Sequence, residues 1–357
     1  MYEWFNVLAS RYNTTIDNVL SIALNRYGII MDNCSDNRIR FNLRFNDSER
    51  ENYFAVCVNT YAESPFSIKE NTLYLEDIVI GKVLNIEKDT CTATYFRNNK
   101  KAITLNSNSR SKCFGCKFCG TYCLTEDDNY DFSTIDNVKQ YFNILLQENN
   151  ITSMRDIDSI TICTGCFNSE NDLIKHIYIL NDAFSSMQFK GRLNYIGSQL
   201  RTFDKIKEIK KKVNNFGLYL TIEKFLDREK FMKAEKSSLT LEKAKELLTY
   251  CSSIGIATTF LYILGLEDLK TIEKYFEYFK DSVNKFPIIQ VFQDYTEYQE
   301  NYRHQEAKDV EYYLKARKIV DSIYEGTSLK PKTWESFRGL YTLDKNDIGD
   351  DKCLKKI

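Results

Sequence analysis

The sequence predicts an α/β protein built around a partial (β/α)6 barrel of the TIM type, with an N-terminal α+β domain and a C-terminal helical segment. From residue 102 onward, short runs of apolar and β-branched residues alternate six times with amphipathic helical patterns. Strands and helices in this alternation form parallel sheets, because a parallel neighbour requires a crossover connection. The strands are short and loops of functional character follow them, which favours a barrel over an open, doubly wound sheet.

The chain is predicted to divide into three segments. Residues 1–100 read as a small α+β domain of unknown role, 101–300 as the barrel, and 301–357 as a helix and tail that cover the barrel mouth. In the first segment a helical pattern runs from Trp4 to Tyr27. Strand-like runs follow it at Arg38–Phe45, Tyr53–Asn59, Thr72–Glu76 and Ile78–Ile86.

Six strand–helix pairs make up the predicted barrel. The predicted strands are Ala102–Asn106, Ser159–Cys163, Leu193–Ile196, Leu218–Glu223, Ala257–Leu264 and Ile288–Phe292. The predicted helices are Ile135–Gln147, Asn171–Met187, Asp204–Val213, Leu241–Cys251, Thr271–Val283 and Val310–Ile323. Thr240 is the expected N-cap of the fourth helix, and Gly255 lies just past its end.

Charge and composition exclude several classes of protein. Lys and Arg number 49 against 50 Asp and Glu, a net charge of -1, so no general attraction to nucleic acid or to a membrane surface is expected. No apolar run approaches the ~18 residues of a membrane span, and the N-terminus does not resemble a signal peptide. We therefore expect a cytoplasmic protein, whose eleven cysteines are reduced rather than paired in disulfides.

Histidine is too scarce to carry the chemistry. The chain has only two, His176 and His304, which argues against a His-rich zinc hydrolase site and against a His-based catalytic triad. Cysteine is therefore the expected metal-binding residue type.

The strongest metal-site pattern is a loop of cysteines directly after the first predicted barrel strand. Cys113, Cys116 and Cys119 are each separated by two residues, and Cys123 follows. Thiolates at this spacing can converge on one soft metal centre, and iron–sulfur clusters and zinc are its usual occupants. In barrels the chemistry lies at the C-terminal ends of the strands, where this loop begins.

This loop and the five β/α units after it resemble the radical S-adenosylmethionine (radical SAM) superfamily. The usual superfamily loop is Cys-x-x-x-Cys-x-x-Cys with an aromatic residue before the last cysteine, a place held here by Phe118. The first cysteine lies one residue closer than usual, and Lys112 stands at the usual position. The resemblance implies that Cys113, Cys116 and Cys119 hold a 4Fe–4S cluster whose open iron binds S-adenosylmethionine (SAM). Reductive cleavage of SAM then gives a 5′-deoxyadenosyl radical that abstracts hydrogen from a substrate.

The resemblance extends to other strand ends and implies cofactor-binding residues there. Thr164 and Gly165, after the second strand, match the turn that contacts the SAM amino group. Glu223, ending the fourth strand, is expected to hold the ribose or the methionine portion, and Arg228 to pair with the SAM carboxylate. Gly265 matches the turn near the adenine. A surface or structural ion pair is an equally weighted interpretation of Glu223 and Arg228.

The cysteines leave three alternatives open. Cys123 could join Cys163 and Cys166 in an auxiliary cluster or zinc site. The segment from Cys113 to Cys123 has the cysteine spacing of half a bacterial ferredoxin, so it could instead be a structural zinc or electron-transfer site in a protein that does not cleave SAM. The unusual first spacing could also direct cleavage to a different bond of SAM, with transfer of an aminocarboxypropyl group.

The partners follow from the same resemblance. A reducing protein such as flavodoxin or ferredoxin is implied as the electron donor. No Gly-rich phosphate loop and no nucleic-acid-binding module stands out, and the cysteine-rich extension of the common peptide-modifying branches is absent from this sequence. We therefore expect a small-molecule substrate in a biosynthetic pathway.

Overall fold

A computed structural model describes residues 1–46, 48–60, 63–90, 94–108, 115–120, 130–336 and 338–341. The chain forms two compact units. The first unit combines residues 1–89, 263–278 and 288–357, and the second combines residues 90–262 and 279–287.

The first unit begins with two helices and an antiparallel sheet. Helix α1 spans Tyr2–Arg11 and α2 spans Ile16–Tyr27. The strands are β1 (Arg38–Phe45), β2 (Asn52–Cys57), β3 (Phe66–Lys69), β4 (Thr72–Leu75) and β5 (Ile78–Lys88), in the spatial order β2-β1-β5-β4-β3. Each pair of neighbours is antiparallel.

The sequence prediction of one helix from Trp4 to Tyr27 is wrong. Asn13 adopts a left-handed conformation with φ 49° and ends the first helix, and the Thr15 side chain accepts a hydrogen bond from the backbone N–H of Asn18 to begin the second. The helical period continues across the break, which explains the error. Strand β3 was also missed.

The first half of strand β1, from Arg38 to Phe41, is buried on both of its faces. Ile39 and Phe41 belong to the apolar core, whereas Arg38 and Arg40 point to the opposite face, as alternation along a strand requires. Both guanidiniums donate through Nε to the carboxylate of Asp89, and the Arg40 bond is 2.7 Å long. Burial alone would raise the pKa of Asp89, but the two guanidiniums outweigh burial and hold it below its usual value.

A seven-stranded sheet forms the partial barrel. It comprises β6 (Tyr95–Arg97), β7 (Ala102–Leu105), β8 (Ser159–Cys163), β9 (Arg192–Gly197), β10 (Phe216–Glu223), β11 (Ala257–Leu264) and β12 (Ile288–Val291), and adjacent strands in this order are hydrogen-bonded. The pairings from β7 to β11 are parallel, and β6 adds an antiparallel edge to β7. The predicted α/β partial barrel is therefore confirmed, with all six strands near their predicted bounds and β6 as an addition.

Helices follow the barrel strands along the chain. Their bounds are α3 (Ile135–Glu148), α4 (Glu170–Ser186), α5 (Phe203–Lys212), α6 (Arg228–Phe231), α7 (Ala234–Ser237), α8 (Leu241–Ser253), α9 (Leu269–Phe279), α10 (Glu297–Glu300) and α11 (Val310–Tyr324). The predicted N-cap Thr240 accepts a hydrogen bond from the backbone N–H of Lys243, and Gly255 is left-handed with φ 75°. No helix within the described ranges has the length and apolar character needed to cross a bilayer.

Strand β10 is an interior strand of the second unit, between β9 and β11. All eight of its residues are buried, as expected for a strand covered on both faces. Its neighbours β9 and β11 run parallel to it, so their C-terminal ends share one edge of the sheet. That edge carries the candidate site.

Candidate functional site

The described part of the cysteine loop is a tight turn. The backbone N–H of Cys119 donates to the carbonyl of Cys116 at 3.0 Å. The Cys116 side chain is buried and that of Cys119 is half-buried, and Phe118 between them is also buried. Cys113 lies outside the described residues, so its ligand role stays a prediction.

Gly115 occupies a position where a larger residue would disturb the backbone and the packing. Its φ is +106°, a conformation that favours glycine, and an added Cβ would lie 2.9 Å from the Cβ of Lys233. The peptide between Cys116 and Lys117 is fixed as well, because the backbone N–H of Lys117 donates to the carbonyl of Phe231 at 2.8 Å. The cysteine turn is therefore packed directly against the chain that follows β10.

Residues 224–239, named here the brace, contain α6 and α7. The brace contacts the cysteine turn through Phe231 and Lys233. On another side it accepts hydrogen bonds from Arg201 in the loop after β9, at the carbonyl of Glu235 and at the Ser238 hydroxyl, the latter at 3.0 Å. The brace therefore connects the ends of β9 and β10 with the cysteine turn.

Glu223 and Lys236 form a buried ion pair at the end of β10. Lys236 Nζ lies 2.7 Å from each carboxylate oxygen of Glu223, and the two side chains are 16% and 12% exposed. Glu223 has φ 63°, which is uncommon for a residue with a side chain, and the register between β10 and β11 shifts at this point. Strain of this kind costs about 1–3 kcal/mol and persists only where its surroundings enforce it.

Arg228 enforces this geometry. Its guanidinium donates to the carbonyls of Ile222 at 2.5 Å, Lys224 at 2.7 Å and Lys236 at 3.1 Å. It therefore fixes the backbone on both sides of Glu223 and at Lys236. The predicted pairing of Arg228 with the SAM carboxylate remains a prediction, and its observed contacts are structural.

The electrostatics of the cysteine turn depend on the ion pair. Burial raises the pKa of Cys116 to about 11, while the Lys236 ammonium opposes that rise and the Glu223 carboxylate adds to it less strongly. A hydrogen bond from the backbone N–H of Lys233 to the Cys116 thiol also lowers its pKa. Burial lowers the pKa of Lys236, but the Glu223 carboxylate, with smaller contributions from the cysteines, raises it above its usual value, so Lys236 is an ammonium.

The loop after β8 is tied to the end of β7. The backbone N–H of Gly165 donates to the carbonyl of Asn108 at 3.1 Å, and the Asn108 amide donates to the carbonyl of Cys166 at 3.4 Å. The Thr164 hydroxyl donates to the carbonyl of Gly165 at 2.8 Å. The predicted Thr164–Gly165 turn therefore lies at the start of the cysteine loop, while its contact with SAM stays a prediction.

Cys166 contacts the brace. Lys233 Nζ donates to its sulfur at 2.7 Å, and Cys163 nearby is half-buried. The described ranges contain no set of three His, Cys, Asp or Glu side chains that could hold a metal ion. Because Cys123 lies outside those ranges, the auxiliary site on Cys123, Cys163 and Cys166 remains a prediction.

Gly265 belongs to the first unit. Its φ is +120°, and an added Cβ would lie 2.9 Å from the Tyr313 hydroxyl. Its carbonyl accepts a hydrogen bond from the backbone N–H of His304 at 2.8 Å. These contacts explain why a glycine stands there, while its predicted place near the adenine is not tested by them.

Within the second unit the structure pairs Glu223 with Lys236 and packs the brace, which carries Lys236, against the turn of Cys116 and Cys119. It also brings Cys166 to Lys233 of the brace. Sequence reasoning missed both lysines. No motif marks them, and the only signal was a pair of basic residues spaced by three in the loop after the fourth predicted strand.

Comparison with known proteins returns distant similarity to solved structures. The chain is similar to SuiB of Streptococcus suis bound to S-adenosylmethionine, with 14% identity, a TM-score of 0.43, and coverage of 64% of this chain and 48% of that one. It is similar to the radical SAM methyltransferase TsrM of Kitasatospora setae, with 12% identity, a TM-score of 0.36, and coverage of 53% and 36%. It is also similar to coproporphyrinogen III oxidase (HemN) of Escherichia coli, a radical SAM enzyme, with 11% identity, a TM-score of 0.39, and coverage of 58% and 49%.

Two of these three structures, TsrM and HemN, are of radical SAM proteins. The chain spans about half of SuiB and HemN, and about a third of TsrM. No family model and no curated protein matches the chain.

Proposed function

We propose that this protein is a radical SAM enzyme with a 4Fe–4S cluster on Cys113, Cys116 and Cys119. When bound, such a cluster supplies the electron that cleaves SAM to a 5′-deoxyadenosyl radical, which abstracts hydrogen from the substrate. The observation that carries the proposal is the cysteine turn, in which Cys116 is buried and which packs against the brace at the C-terminal edge of a partial barrel.

The described donor set fits this group. The Cys116 thiol is buried beside an ammonium and accepts a backbone N–H, and both features stabilise a metal-bound thiolate. Two of the three proposed ligands, Cys116 and Cys119, lie on one turn closed by a hydrogen bond. Three thiolates would leave one iron open for the amino and carboxylate groups of SAM.

The chain's own residues would bind and orient SAM. We assign the SAM amino group to Thr164 and Gly165, the adenine to the Gly265 turn, and the ribose or methionine portion to Glu223. The buried Phe118 would pack against the cofactor and keep water away from it. The SAM carboxylate remains assigned to Arg228.

The substrate and partners are part of the proposal. We propose a small molecule of a biosynthetic pathway as substrate, a flavodoxin or ferredoxin as reductant, and the cytoplasm as location. SuiB has been solved with its precursor peptide SuiA, so a peptide is the alternative to examine once SAM cleavage is established.

The proposal is tested on protein purified without oxygen and reconstituted with iron and sulfide. We expect about four irons per chain and release of 5′-deoxyadenosine when dithionite and SAM are added. Cys116→Ala and Cys119→Ala should lose both properties, whereas Cys34→Ala, a half-buried cysteine of the first unit, should keep them. Wild-type protein that binds no iron after reconstitution would overturn the proposal.

Two alternatives have distinct outcomes in the same experiment. The short spacing between Cys113 and Cys116 is the observation behind aminocarboxypropyl transfer, which would give methylthioadenosine as the main nucleoside. The fourth cysteine, Cys123, is the observation behind a structural zinc or electron-transfer site, which would leave SAM intact and lose its metal in Cys123→Ala. The radical SAM cluster should tolerate that substitution.

An auxiliary centre on Cys123, Cys163 and Cys166 would raise the iron content to about eight. The Cys166→Ala variant distinguishes a protein with the auxiliary centre, which should lose the additional iron, from a protein without it. An iron content that stays near four in both wild type and variant would exclude the auxiliary cluster.

A further inference from the structure

We infer that Lys236 is a fixed, buried counter-charge that raises the reduction potential of the cluster on the cysteine turn. Glu223 would be its anchor and Arg228 the residue that positions both. This inference rests on the proposed function, since it concerns the cluster proposed there.

The ammonium is held in one place. Lys236 Nζ is 2.7 Å from each oxygen of the Glu223 carboxylate, and both side chains are more than four-fifths buried. A lysine with a long flexible stem is seldom fixed in this way at a surface. Here the charge is confined to one position in a region that water scarcely enters.

Arg228 fixes the backbone of both partners. Its hydrogen bonds to the carbonyls of Ile222 and Lys224 flank Glu223, and its third bond reaches the carbonyl of Lys236. The left-handed backbone of Glu223, with φ 63°, directs its carboxylate to the ammonium under this constraint. The ion pair is therefore built into the fold at the end of β10.

The positive end of the pair acts on the cysteines. Lys236 belongs to the brace, which packs on the cysteine turn through Phe231 and Lys233. Its ammonium lowers the pKa of Cys116 more than the Glu223 carboxylate raises it. The pair as a whole therefore presents a net positive field to the Cys116 sulfur. The backbone N–H of Lys233, which donates to the Cys116 sulfur, acts in the same direction.

The consequence for a bound cluster follows from charge alone. Reduction adds one electron and breaks or forms no bond with the protein, so the reduced form carries one more negative charge. A buried positive charge stabilises that form more than the oxidised form, and the potential rises. Hydrogen bonds to cluster sulfurs have the same effect.

The test is a redox titration of the reconstituted protein followed by electron paramagnetic resonance, with iron content measured on each sample. Lys236→Met keeps most of the side-chain volume and removes the charge, so its potential should be more negative than that of wild type. Lys236→Arg keeps the charge and should stay close to wild type. Glu223→Gln removes the opposing carboxylate and should shift the potential in the positive direction.

Shifts of opposite sign in Lys236→Met and Glu223→Gln, at equal iron content, are the expected result. A purely structural ion pair would instead lower iron content or stability in both and leave the potential unmoved. Equal potentials in wild type and in either loaded variant overturn the inference while leaving the proposed function standing. If Lys236→Met takes up no iron, the test rests on Glu223→Gln alone. A positive shift of its potential supports the inference, and no shift or a negative shift overturns it. Wild type without a cluster overturns the proposed function and this inference together.

Discussion

The cysteine turn depends on a single glycine. Gly115 combines a φ of +106° with a close approach to Lys233 of the brace, so glycine is required at this position for two separate reasons. A side chain at this position must both adopt a disfavoured conformation and displace the brace.

We expect Gly115→Ala to lower the melting temperature and the iron content per chain. The left-handed backbone alone should cost about 1–2 kcal/mol, and the clash with Lys233 adds to it. Gly255→Ala is the matched control, because Gly255 has φ 75° but only one atom, Lys210 Nζ, within 4.0 Å of an added Cβ. A loss of stability in Gly115→Ala no larger than in Gly255→Ala would show that the contact with the brace has no role.

His176 makes the stability of the protein depend on pH. The ring is buried, its Nε2 lies 2.7 Å from the Ser107 hydroxyl, and burial lowers its pKa to about 4. Because the folded pKa is below the unfolded value, the stabilisation is complete above the unfolded pKa and is lost as pH falls toward the folded one.

We therefore expect urea unfolding to show a loss of about 2 kcal/mol from this residue between pH 7 and pH 5. His176→Gln should remove that part of the pH dependence, although it also lowers stability at pH 7. His304→Gln serves as the control, since His304 is only half-buried. Equal pH dependence in His176→Gln and wild type would contradict the account.

At the scale of single residues, the sequence predicted the cysteines of the site but not the lysines near them. Cys116 and Cys119 were predicted because thiols at this spacing are rare outside metal sites. Lys233 and Lys236 were missed because isolated lysines usually lie in solvent, and only the folding of the brace over the strand ends brings them to the cysteines.

Strand β1 presents a charged face that is buried. Arg38 and Arg40 share one carboxylate, Asp89, whose side chain has no exposed surface. Removing one partner of such a network leaves uncompensated charge in the interior, a loss that typically costs 3–5 kcal/mol.

Asp89→Asn should therefore lower the free energy of unfolding by roughly 3–5 kcal/mol, measured by urea titration at pH 7. Glu51→Gln breaks the exposed pair with Arg44, whose side chains are 47% and 50% exposed, and should change stability by less than about 1 kcal/mol. Because the folded pKa of Asp89 is lowered, its stabilisation is present above pH 3.8 and disappears as pH falls below that value. An Asp89→Asn variant as stable as wild type would show that the arginines are neutralised by other groups.

Elements were predicted well where local pattern and burial agree. Strands β8 and β11 have their predicted bounds, because each is a run of apolar and β-branched residues that a parallel sheet buries. The break between α1 and α2 was not predicted, since it depends on the conformation of Asn13 and a cap at Thr15 rather than on hydrophobic period. The brace helices α6 and α7, of four residues each, are too short to carry a period at all.

At the scale of the whole molecule, the compact units are discontinuous in sequence. Residues 1–89 form one unit with 263–278 and 288–357. Local patterns contain no information on such grouping, because it depends on contacts between distant segments such as the pair of Arg11 and Glu311, 2.7 Å apart.

The central claim is that the cysteine turn holds a cluster that cleaves SAM. The most direct measurement is the nucleoside released by reconstituted, reduced protein on addition of SAM, compared between wild type and Cys116→Ala. We expect 5′-deoxyadenosine from wild type and none above background from the variant. Intact SAM with wild-type protein that carries about four irons would contradict the claim.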